Sequence, residues 1–258
     1  MGWTERQRRM LAEMGLTVWA PETVPLAQAE RLDAPPVPEA AFPASAPSAS
    51  APAASAPVVP RMPSAVAQLD WPALREAVAA CRACRLCEGR RNTVFGVGNE
   101  RAHLMVVGEA PGEQEDRKGE PFVGPAGMLL DAMLRALGLT REAAPPERQV
   151  FIANTLKCRP PGNRNPEPDE MVKCEPFLQR QLALVQPRVI LAMGRFAVQA
   201  LLRSSEPIGR LRGRVHTYEG VPLVVTYHPA YLLRNLPDKA KAWDDLCLAA
   251  TLLEKQGA

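Results

Sequence analysis

The sequence predicts an α/β fold, a three-layer α/β/α sandwich around a four-stranded, mostly parallel sheet. Two patterns carry this. Short apolar runs at 102–108 (AHLMVVG), 149–153 (QVFIA), 187–194 (PRVILAMG) and 222–226 (PLVVT) have the length of strands buried on both faces. Stretches of helical periodicity lie between and after them, at 126–137, 168–185, 195–203 and about 238–255. Strands that alternate with helices join through right-handed crossovers into a parallel sheet covered on both sides. The length of 258 residues, with 47% hydrophobic and 23% charged, suits one large domain with an appendage.

Taken in order, residues 1–33 form a short head. Trp3, Met10, Leu11, Met14 and Leu16 make one apolar stripe on a helix of about three turns, a length that is marginal alone in water. Such a helix is a docking peptide for a protein partner, a segment folded back on the body, or a frayed terminus. Residues 34–68 read as a linker. The stretch 34–63 is almost wholly Ala, Pro, Ser and Val, with nine prolines and no apolar period. The body, 69–258, opens with a helix over 71–81, capped by Asp70 with Pro72 at its first position. In folds of this class ligands sit at the carboxyl ends of strands. That rule selects the residues just past each run: Gly108 to Gly112, Asn154, Gly194, and Tyr227-His228-Pro229.

No run of about 18 apolar residues occurs, which excludes a spanning helix. The opening MGWTERQRRMLAEMG has charges where a signal peptide needs its apolar stretch. The expected location is therefore cytoplasmic, where cysteines serve metal or redox chemistry rather than disulfides. Cys81, Cys84 and Cys87 form C-x2-C-x2-C, Cys158 and Cys174 lie sixteen apart across a Pro-rich loop, and Cys247 sits alone in an apolar helix pattern. A C-x2-C pair lets two sulfurs face one metal centre, and a distant second pair completes a tetrathiolate site. The wide second pair favours an iron–sulfur cluster over a zinc ribbon. Spacing alone does not say which two of the first three cysteines are ligands.

The loop after the first run, GEAPGEQEDRKGEPFVGPAG, carries Glu109 and Glu115 and lacks both GK[ST] and GxGxxG. Its acids would repel a nucleotide phosphate and suit the stabilising of a cation or the orienting of a water. Phe122 lies where no core pattern needs it; it either stacks on a planar ligand or anchors its loop. Asn154 can read the edge of a base or cap a turn. His228, held extended by the following Pro229, is a candidate for proton chemistry, whereas His103 and His216 fall beside strand starts and read as structural. The first 70 residues carry net charge −2 and the rest +5, with Arg212, Arg214 and Arg234 in a basic stretch and Arg159 and Arg164 flanking the Pro-rich loop. This distribution suits a nucleic-acid partner as well as a solvated face. A binding module with a metal staple and a cluster-dependent redox protein are the rival classes. The carboxylate loop and His228 favour an enzyme.

The motifs together, CRACRL with RNTVFGVGN, GEAPGEQED, GEPFVGPAG, NTLKCRPPGNRNP, LRGR and TYHPAYLLRN, resemble the type-4 iron–sulfur uracil-DNA glycosylases over most of 75–250. The resemblance implies hydrolysis of the N-glycosidic bond of deoxyuridine in single- or double-stranded DNA, as the first step of base excision repair, by an enzyme that can act as a monomer. It implies a structural 4Fe–4S cluster on Cys81, Cys84, Cys158 and Cys174, with Cys87 a spare thiol. By the same resemblance Phe122 stacks on the base, Asn154 reads its edge and His228 bonds its carbonyl, while Glu109 and Glu115 serve catalysis and Asn163 influences activity. Ala110 stands where some members have Gly and bears on which other damaged bases are accepted. Ala110 and the plain LRGRVH also set the chain apart from the related branch with GEQPG and a KRRIH insertion. Contacts to DNA are expected from Arg159, Arg164, Arg212, Arg214 and Arg234.

Overall fold

Oδ1 of Asp70 accepts from the amide of Ala73 at 3.0 Å and so caps helix α1 (Trp71–Ala80). The structure, a computed structural model, describes Met10, Leu11, Glu13 and residues 65–257. The remainder of the expected head, and residues 34–64 of the expected linker, lie outside the described residues. A short helix, α2 (Leu86–Gly89), follows the first cysteines. Then come β1 (Val97–Gly98), β2 (Leu104–Gly108), α3 (Glu113–Lys118), α4 (Pro125–Ala136), β3 (Phe151–Asn154) and α5 (Pro168–Val185). The chain continues through β4 (Val189–Met193), α6 (Arg195–Leu202), α7 (Ile208–Leu211), β5 (Val215–Tyr218), β6 (Val221–Thr226), α8 (Pro229–Leu232) and α9 (Asp238–Gly257).

The sheet has six strands in the order β1-β3-β2-β4-β6-β5. The four expected runs form its parallel centre, β3-β2-β4-β6. The four-stranded count is corrected by two antiparallel edges, β1 on β3 and β5 on β6. Both escape a search for apolar runs. The β1 strand is two residues long, and the four residues of β5 alternate between exposed and half-buried.

Alternation along the central strands divides the core in two. Met105, Val107, Phe151, Ala153, Ile190 and Ala192 face the side covered by α1, α5 and α6. Leu104, Val106, Ile152, Val189 and Leu191 face α4 and α9, meeting Leu130, Met133, Leu134, Trp243 and Leu246. Leu11, from the head, is buried in this second cluster. Among the described residues no helix is long and apolar enough to cross a membrane.

Candidate active site

The carboxyl ends of β2 and β3 leave the sheet as a pair. Gly108 and Asn154 are register partners. The pairing continues past the strands, with the amides of Thr155 and Leu156 donating to the carbonyls of Gly108 (3.0 Å) and Glu109 (3.1 Å). Glycine is required at 108, because an added Cβ would stand 2.6 Å from Cζ of Phe122 and closer still to Oδ1 of Asn154. Asn154 is 2% exposed, and its Oδ1 has no hydrogen-bond partner. A buried acceptor left unpaired costs on the order of 1–3 kcal/mol, so its presence points to a ligand donor.

Phe122 is buried in a left-handed backbone conformation (φ 55°) that a residue with a Cβ seldom adopts. Such a residue costs of order 1–3 kcal/mol and persists only when its surroundings hold it. Both sides hold it here. The Glu115 carboxylate accepts from the amides of Val123 (3.0 Å) and Gly124 (3.3 Å) through Oε1, and from Gly112 (3.1 Å) through Oε2. On the other side Nη1 of Arg141 donates to the carbonyl of Pro121 at 2.9 Å, while its Nε pairs with Asp131 at 2.6 Å. Glu115 therefore ties the loop together, with both oxygens engaged by backbone amides. Arg141 carries no motif that sequence reasoning would select.

His228 is the N-cap of α8, in extended conformation before Pro229. Its Nδ1 accepts from the amide of Ala230 at 3.2 Å, which leaves Nε2 to carry the proton. Burial pushes its pKa down to about 4, a fall that the Glu115 charge opposes and Arg234 assists. The ring is thus a neutral donor at ordinary pH. It lies against Phe122, with centroids 5.3 Å apart and planes at 26°.

Glu109 is drawn to the start of α6, where Oε1 accepts from the amide of Phe196 at 3.1 Å. Burial raises its pKa against the pull of those amides and of the Arg195 guanidinium. These groups share one open cleft of about 970 Å³. Glu109, Ala110, Glu115, Phe122, Asn154 and His228 form its floor and walls, and Asn163, Arg164 and Arg234 also line it. Of the five arginines expected to face DNA, three are engaged within the protein. Arg164 forks onto Glu170 at 2.9 and 2.6 Å. Arg212 is largely buried against Asp245 at 3.0 Å. Arg159 holds Oδ1 of Asn163 at 2.7 Å and reaches Glu113 at 3.4 Å. Arg214 and Arg234 are exposed. Leu233 and Leu236, 42% and 55% exposed, flank Arg234 in the sequence.

A second, tighter pocket is lined by Cys81, Cys84, Cys87, Cys158 and Cys174 together. Cationic and amide donors face its sulfurs. Nη1 of Arg90 donates to Cys158 at 3.2 Å, and the amide of Lys157 donates to Cys174 at 3.3 Å. Burial pushes the Cys174 thiol up to about 12, so a bound cation is what would keep it a thiolate. Cys87 also opens onto a groove outside this cavity, as Cys84 does. Among the described residues no group of three or more His, Cys, Asp or Glu side chains closes on one point as a single ion requires. A four-iron cube takes one thiolate at each corner, and cysteines sharing one pocket supply the right donor type for it.

Residues 95–247 match the family model of the uracil DNA glycosylase superfamily. The chain is 46% identical over 164 residues to a type-4 uracil-DNA glycosylase of Archaeoglobus fulgidus, covering 60% of this chain and 79% of that protein. It is 40% identical over 186 residues to the type-4 uracil-DNA glycosylase of Thermotoga maritima, covering 70% of this chain and 94% of the relative. A type-5 uracil-DNA glycosylase of Pyrobaculum aerophilum is 32% identical over 149 residues, 54% of this chain and 66% of the relative. A strand-end cleft with a buried amide and a neutral imidazole, within the matched region, thus defines a protein of the uracil DNA glycosylase superfamily. Within that superfamily the chain belongs to the type-4 uracil-DNA glycosylases.

Proposed function

We propose that this chain excises uracil from DNA by hydrolysing the N-glycosidic bond, with residues 69–258 as the catalytic domain. The observation that carries the reading is the unpaired Oδ1 of buried Asn154, in a cleft shared with a neutral His228. A target base must leave the duplex stack to reach such a cleft. Uracil presents N3–H to Oδ1 of Asn154 and O4 to its Nδ2. Cytosine presents an acceptor at N3 and a donor at C4, and would leave the amide mispaired on both atoms. Phe122, fixed from both sides, supplies an aromatic wall. As the bond breaks, charge collects on the base, and Nε2–H of His228 donates to O2. A preorganised donor of this kind contributes on the order of 10²–10³ in rate. The Glu109 carboxylate positions water or balances the cationic sugar.

Cys81, Cys84, Cys158 and Cys174 would hold a 4Fe–4S cluster, which supplies a cross-link between loops. The shared pocket, with Arg90 donating to Cys158 and the amide of Lys157 to Cys174, supports this assignment. Cys87, which also faces outward, is the fifth thiol. On the DNA side Arg214 and Arg234 are exposed for phosphate contact, and the exposed Leu233 and Leu236 suit insertion where the base has left the stack. Arg159, Arg164 and Arg212 shape that surface through their carboxylate and amide partners.

The test is release of free uracil from single-stranded DNA, U·G duplex and U·A duplex by the full chain, with thymine and cytosine as controls. Uracil release that Asn154→Ala removes is expected. No release from any uracil substrate would overturn the reading.

A further inference from the structure

Lys157 is the largest buried polar group that the chemistry of uracil release leaves without a task. It is 2% exposed. Its ammonium donates to the carbonyl of Asn154 at 2.8 Å and to Oε1 of Gln181 at 2.7 Å. Gln181, wholly buried, donates in turn to the carbonyl of Phe95 at 2.9 Å. Both acceptors of the ammonium are neutral. A buried cation without an anionic partner is costly, so the geometry of its two hydrogen bonds is held tightly. The backbone of Lys157 is held as well. Its amide donates to the sulfur of Cys174, and its carbonyl accepts from Val94 at 2.8 Å.

We infer that Lys157 is a positioning residue that couples the cysteine cavity to the base-reading amide. One residue donates its backbone amide to the sulfur of Cys174 and its side chain to the carbonyl of Asn154. The grip fixes the end of β3, and with it the aim of the Asn154 amide into the cleft. A disturbance at Cys174 therefore reaches Asn154 through a single residue. This coupling rests on the proposed role of Asn154 in reading uracil.

The full chain carrying Lys157→Met keeps a long apolar stem and removes the charge. Gln181→Met removes one acceptor and leaves Lys157 in place. For each, the dissociation constant of free uracil, KM and kcat on uracil-containing DNA, iron content and the visible absorption spectrum are measured. Lys157→Met is expected to weaken free uracil about tenfold, the scale of one lost hydrogen bond, and to raise KM more than it lowers kcat. The visible spectrum is expected to shift, because the amide that faces Cys174 moves when the side chain loses its two acceptors. Gln181→Met should move both readouts in the same direction by less. A folded, iron-loaded Lys157→Met with wild-type uracil affinity and spectrum would overturn the inference. If that variant does not fold, an unaltered uracil affinity and spectrum in Gln181→Met would overturn it. A wild-type chain that releases no uracil defeats the underlying reading instead.

Discussion

The backbone amide of Ala230 donates to Nδ1 of His228 at 3.2 Å, and that bond settles where the imidazole proton resides. With Nδ1 an acceptor, Nε2 must be the donor, and the ring reacts as a neutral group. His228→Ala is expected to lower single-turnover cleavage of uracil-containing duplex by about 10²–10³. Rapid-quench kinetics at saturating enzyme give the number. A rate within twofold of wild type would remove His228 from the chemistry.

The same histidine makes stability depend on pH. Its folded pKa is pushed down to about 4 by burial, from an ordinary 6.5. Between those values the unfolded chain takes up a proton that the folded chain refuses. The contribution of His228 to stability is therefore complete above pH 6.5, falls as pH drops toward 4, and levels off below. The loss is on the order of 3 kcal/mol at most. His228→Asn keeps an N-cap side chain and should flatten this slope in urea titrations between pH 7 and 4.

Gly108→Ala tests whether β2 and β3 close on the base. The added methyl would press on both Phe122 and Asn154. Uracil affinity is expected to fall at least tenfold while the far-ultraviolet circular dichroism stays that of wild type. A tight uracil complex in this variant would mean that the base lies elsewhere.

Glu115→Ala frees the amides of Gly112, Val123 and Gly124, and the backbone of Phe122 then loses one of its two supports. A fall in kcat/KM of about 10–100-fold is expected, since each tie contributes about 1 kcal/mol. Glu115→Gln retains an oxygen that accepts from Val123, and should recover part of the loss. Equal defects in the two variants would assign Glu115 a charge-dependent step instead.

Cys87→Ser is expected to keep full iron per chain, and Cys158→Ser to lose most of it, when both are purified without air. The reverse outcome would place Cys87 among the ligands. Arg90 donates to the sulfur of Cys158, which is one of the four proposed ligands.

Much of this arrangement is legible in the residues. The central strands read as apolar runs because they are buried on both faces, and the strand-end rule selects Glu109, Asn154 and His228 before any coordinates. Caps made by near neighbours, such as Asp70 onto Ala73, are equally plain. What local patterns do not reveal is the partner of a charge. Glu115 reads as a free carboxylate, yet it binds amides eight and nine residues on. Arg212 reads as a DNA contact, yet it meets Asp245 thirty-three residues away. Lys157 lies inside NTLKCRPPGNRNP, yet nothing local shows that it reaches the Asn154 carbonyl and Gln181, and Arg141 has no local signature at all. Their importance comes from burial and from which carbonyl they reach, both set by tertiary packing.

Leu11 shares its apolar cluster with Trp243 and Leu246, although the prolines of 34–63 stand between it and the body. A contact of one short apolar segment is too weak to form between separate molecules at ordinary concentrations. Covalent attachment raises its local concentration to the order of millimolar, and each doubling of the tether costs only about 0.6 kcal/mol more. A protease cut between Leu11 and the body would let that residue leave and bare an oily patch of Trp243 and Leu246 on the face opposite the cysteines.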